Sequence, residues 1–74
     1  MDDGPGVALL QSAVATLMAR YALHRQDCIA AAVERAFLTL ARHPQVPAQA
    51  AGAYEALALA WRELSALHPH ARRH

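Results

Sequence analysis

Seventy-four residues make one small domain at most. A chain this short shields a smaller share of its surface than a larger domain does, which already favours self-association. Seven basic residues, all arginine, stand against six acidic ones. The formal net charge of +1 gives no general attraction to nucleic acid or to an anionic membrane, and a single cysteine excludes an intrachain disulfide framework.

Alanine, the best intrinsic helix former, supplies 19 residues. The β-branched residues (four Val, one Ile, two Thr) are few and scattered, and no stretch alternates apolar and polar side chains as a strand requires. The expected class is therefore all-α. Arg and Ala both have GC-rich codons, which suggests a bacterial source. No basic start followed by an apolar run and a cleavage site is visible, and polar residues interrupt every apolar run well short of the roughly 20 residues of a membrane span. These features lead to an expectation of a cytoplasmic protein.

Residues 1–4 read as a short acidic tail, with Asp2 and Asp3 placed where negative charge suits the start of a helix. Pro5 suits an early helical position, because its missing N–H has no partner there. A first helix over about 5–23 follows from an apolar stripe at Val7, Leu10, Val14, Leu17 and Tyr21. Continued past Tyr21, that stripe would need apolar residues at 24, 28, 31 and 35. The chain supplies His24, Cys28, Ala31 and Arg35, while Ile29, Val33 and Phe37 arrive one or two places late. This phase change predicts a turn over His24–Asp27 with Asp27 as N-cap, against the rival of one bent helix from 6 to 42.

The second helix is expected over about 27–43, with Ile29, Val33, Phe37 and Leu40 on one face. Pro44 disfavours helical geometry in the residue before it. Pro47 opens the third helix, over about 47–67, on a stripe of Ala50, Tyr54, Leu57, Trp61 and Leu64, and Pro69 ends it. Gly52 lies inside this helix, either as an ordinary tolerated glycine or as a place for a close crossing. Residues 68–74 form a basic tail. Short connections make neighbouring helices antiparallel, so the expected fold is an up-down-up three-helix bundle with a helix face left over for dimerisation.

Chemistry-bearing constellations are sparse. Cys28 and His24 would share a face only on a continuous helix, and no oxyanion-hole motif, glycine-rich loop or orienting third group accompanies them. No catalytic residue and no cofactor are expected. His68, His70 and His74 cluster in the tail and, with His24 and Cys28, resemble a ligand set in number only; one Cys and an unscaffolded tail do not make a zinc site, so no metal is expected. Helices 2 and 3 could form a helix-turn-helix, yet the start of helix 3 offers Gln49 among small residues and no cation, and the arginines are interleaved with Glu34, Glu55 and Glu63. Tyr54, Trp61 and Phe37 read as core, with both tyrosine hydroxyls at its edge.

Leu9, Leu23, Leu38 and Leu59 fall off the three stripes. Single exposed leucines are ordinary. Four of them in a chain short of core mark the expected partner interface. The sequence thus points to a non-catalytic helical interaction module, adaptor-like, chaperone-like or an anti-activator, whose partner is another protein or a second copy in a homodimer. The alternative is a small nucleic-acid-binding transcriptional regulator.

Overall fold

The computed structural model describes residues 6–67. They form three helices, α1 (Val7–His24), α2 (Asp27–Ala41) and α3 (Ala48–Ala66). Asp2, Asp3, Pro5, Pro69 and the tail histidines lie outside the described residues.

α1 starts at Gly6, whose extended backbone is the N-cap and whose carbonyl accepts from Leu10 N–H at 3.1 Å. It ends where the phase of the apolar stripe changes, so the break replaces the bent-helix alternative. Arg25 takes the left-handed conformation (φ 52°, ψ 43°), and its N–H closes the last turn on Tyr21 O at 2.7 Å. That geometry ordinarily belongs to glycine, because a Cβ crowds the following carbonyl. Gln26, extended, is the N-cap of α2, so Asp27 is the first helical residue rather than the cap. Its carboxylate still faces the positive end of the helix dipole.

α2 stops two residues earlier than expected, at Ala41. The chain then turns over residues 43–46: Val46 N–H donates to His43 O at 3.1 Å, and Gln45 N–H donates to His43 Nδ1 at 3.1 Å. Pro44 occupies the second turn position, which its fixed φ suits. The turn delivers Val46 against the core. Pro47 caps α3 in an extended conformation, one place outside the helix it was expected to begin.

Packing is centred on α2, which packs closely against both neighbours. It supplies Ala30, Val33, Phe37 and Leu40 to the buried set; α1 adds Val14 and α3 adds Ala58. α1 and α3 meet through side chains. Gln11 Nε2 donates to Tyr54 Oη at 2.9 Å, and the Tyr21 and Trp61 rings meet edge to face at 5.2 Å between centroids. Phe37 stacks on Tyr54 at 5.9 Å. Contacts 11–54 and 21–61 rise together along the chain, so α1 and α3 run parallel and α2 runs against both. The up-down-up bundle is the observed fold.

Three details of the stripes differ from expectation. Ala30, not Ile29, is the fully buried residue at the start of α2. In α3 the buried position is Ala58, with Tyr54 and Trp61 partly buried beside it, and Leu57 is turned partly into solvent. The two rings need room that only a small residue between them leaves, so the face rotates toward Ala58. Gly52 has open space where a Cβ would stand, and no close crossing occurs there.

Substitutions at three sites check this account. Denaturant unfolding followed by far-UV circular dichroism should show Leu40→Ala losing about 2–5 kcal/mol, because the site is fully enclosed. Gly52→Ala should gain roughly 0.5–1 kcal/mol from helix propensity alone. Arg25→Gly should be neutral or gain up to about 1 kcal/mol, while Arg25→Val should be destabilising, since a β-branched residue is worse in the left-handed region.

Candidate interaction surfaces

The four leucines expected at a partner interface do not share one environment. Leu9 (63% exposed) and Leu23 (78%) stand in solvent on α1. They are fourteen residues apart, about 21 Å along the axis, on the side turned from Val14. Around them lie Ser12, Ala13 and Thr16, with Arg20 the one charge, so the outer side of α1 is nearly neutral. Leu59 (54% exposed) lies on the outer side of α3, one residue beyond buried Ala58. Leu38 departs from expectation: it is half-buried and packs against the core. The backbone ends α2 early and turns over residues 43–46, and the close packing of α2 between two helices leaves little of its circumference in water.

Two exposed leucines were not among those four. Leu57 is 43% exposed and Leu67 is 73% exposed. The 4-3-4-3 spacing of its helix places Leu57 on the core stripe. The signal that separates it is local: Ala58 sits between Tyr54 and Trp61 at i+4 and i−3, and a small residue flanked by two rings is the better candidate for the tight position.

The reactive side chains are not gathered. His24 ends α1 and Cys28 lies in the first turn of α2, with the Arg25–Gln26 turn between them, so the shared helical face that a Cys–His pair would need does not exist. Cys28 is exposed, and its thiol points to Gln26 Oε1 at 3.7 Å. Among the described residues no three His, Cys, Asp or Glu side chains are placed to hold a metal ion. His68, His70 and His74 fall outside them. At the start of α3, Ala48, Gln49, Gly52 and Ala53 are exposed and carry no cation. Arg20, Arg25, Arg35, Arg42 and Arg62 are exposed on separate elements rather than aligned in one stripe for phosphates. Among the described residues no helix is long and apolar enough to cross a membrane.

Comparison with protein families, curated proteins and solved structures gives no match.

A pair of charge insertions separates the two classes of leucine. Leu23→Glu should change the unfolding free energy by no more than about 0.5 kcal/mol, as exposed sites do. Leu38→Glu should cost more than about 2 kcal/mol, because it drives a carboxylate against the core. Equal melting temperatures for the two variants would contradict the burial assigned to Leu38.

Proposed function

We propose that this chain is a non-catalytic helical interaction module that presents an apolar helix face to a protein. The observation that carries this reading is the imbalance between core and surface. The buried set consists largely of small or medium side chains, while Leu9, Leu23, Leu57, Leu59 and Leu67 remain in water on α1 and α3. α1 has Arg20 and His24 as its only basic residues and no acid, and one side of it is enclosed, leaving Leu9 and Leu23 in solvent among Ser12, Thr16 and Arg20 on the other. Exposed apolar area of this kind marks a surface that meets something. Helix-face docking is a common way for a small domain to be recognised.

The reading includes a role without chemistry of its own, in a cytoplasmic and bacterial setting. The absence of a cofactor signature in the sequence and the separation of Cys28 from His24 support it. The nucleic-acid alternative has less behind it, since the exposed arginines are dispersed and the start of α3 is uncharged.

The experiment is affinity capture from source lysate with three baits: the wild-type chain, Leu23→Glu and Leu59→Glu, each shown by circular dichroism to keep its helices. One stoichiometric protein recovered by the wild type and lost with at least one variant is the expected result. Recovery of nucleic acid alone, sensitive to salt and indifferent to both leucine substitutions, would overturn the reading in favour of a regulator that binds nucleic acid.

A further inference from the structure

α3 carries a second apolar stripe beside the one that faces the core. Ala50, Ala53, Leu57, Ala60, Leu64 and, at the C-cap, Leu67 step by 3, 4, 3, 4 and 3. That is the spacing of a two-helix seam, and every member is uncharged. Ala53, Leu57, Ala60 and Leu67 are exposed, and Ala50 and Leu64 are half-buried. The charged residues of α3 lie off this stripe, with Glu55 and Arg62 on the opposite side of the helix and Glu63 at the stripe's edge beside Ala60 and Leu67.

We propose that this stripe is a homodimer seam, in which α3 packs antiparallel against α3 of a second copy about a two-fold axis between Leu57 and Ala60. The proposal rests on the interaction-module reading and names a second copy of the chain as the occupant of this face, which is separate from Leu23 and Leu59. The order of side chains selects that occupant. Reversed about this axis, Ala50 meets Leu67, Ala53 meets Leu64, and Leu57 meets Ala60. Each layer therefore holds one small and one large residue, and the pattern Ala-Ala-Leu-Ala-Leu-Leu is its own size complement. A two-fold interface demands this self-complementarity, because the same surface is used on both subunits. A stripe shaped for an unrelated helix is under no such constraint. No like charges are brought face to face by the pairing, since the stripe is neutral.

Area shows what else must join. A helix of this length is about 28 Å long and about 10 Å wide, so α3 alone offers a footprint of about 300 Å². A standard interface needs roughly 800 Å² per partner. The neighbouring surface is α1. Trp61, which borders Leu57 and Leu64 on the helix, touches α1 at Tyr21, and Gln11 of α1 reaches Tyr54. Gln11 belongs to a row with Ala8, Ala15, Met18 and Ala22, which therefore runs along the side of α1 nearest α3, with Met18 half-buried against the core. All three alanines are exposed. α1 and α3 are not closely packed along their backbones, so the second copy's α3 seats between the exposed alanines of this edge and the stripe.

The test is sedimentation equilibrium of the full chain from low to high micromolar concentration, with reductant present so that exposed Cys28 forms no cross-link. Four proteins are compared: wild type, Leu57→Ala, Ala60→Leu, and the double swap Leu57→Ala/Ala60→Leu. The wild type should dimerise. Leu57→Ala, which leaves two alanines facing each other in both central layers, should raise the dimer dissociation constant more than about tenfold. Ala60→Leu, which crowds those layers, should also weaken the dimer. The double swap puts one large and one small residue back in each layer and should recover affinity to within about threefold of wild type. Circular dichroism confirms that each variant is folded. A wild type that stays monomeric throughout overturns the proposal and leaves the interaction-module reading to its own test. A dimer that ignores Leu57→Ala, or that the double swap fails to recover, overturns the seam and its register.

Discussion

The enclosed face of α2 is the constraint on which the rest of the molecule depends. Ala30, Val33, Phe37 and Leu40 form one continuous strip, and both flanking helices lean on it. Neither α1 nor α3 has a comparable strip. Each contributes a single buried residue, Val14 and Ala58. α2 can be shielded on two sides only because its neighbours stand at its flanks, and two helices so placed keep much of their own circumference in water. The exposed leucines of α1 and α3 are the counterpart of the burial of α2.

Aromatic rings set how α1 and α3 approach one another. Tyr21 against Trp61 and Gln11 against Tyr54 span the gap at two levels, with an edge-to-face ring pair at one and a hydrogen bond at the other. Rings of this size hold helices apart while still filling the space between them, and edge-to-face contact is favourable in its own right. The alanine at position 58 belongs to the same arrangement: a larger residue there would compete with Tyr54 and Trp61 for space in the core. The rotation of α3 that this requires is also what turns Leu57 outward. Internal packing and external surface are therefore settled by one geometric choice.

The surface that results is defined more by shape than by charge. The arginines are scattered, and the neutral sides of α1 and α3 carry alanines and leucines in helical rows. Recognition on such a surface depends on how large and small side chains interleave. That is why the order of residues along α3 carries more information about its occupant than any single exposed leucine does.

Much of the architecture was legible in the chain. Three stripes at helical spacing locate three helices to within a few residues, and the phase change after Tyr21 marks a turn that neither glycine nor proline announces. Arg25 shows why the residue types alone understated it: the turn is made by a non-glycine residue in the left-handed conformation. The alternation of Ala and Leu is likewise written in the sequence, but with Leu57 counted as core it could not be seen as a surface. The exposure of Leu9, Leu23 and Leu59 follows from their positions on single helices, because helical periodicity is a local property. The burial of Leu38 and the exposure of Leu57 do not. They depend on which neighbours flank each helix and on how much volume the rings of Tyr54 and Trp61 occupy, and only the tertiary packing of α1, α2 and α3 decides that.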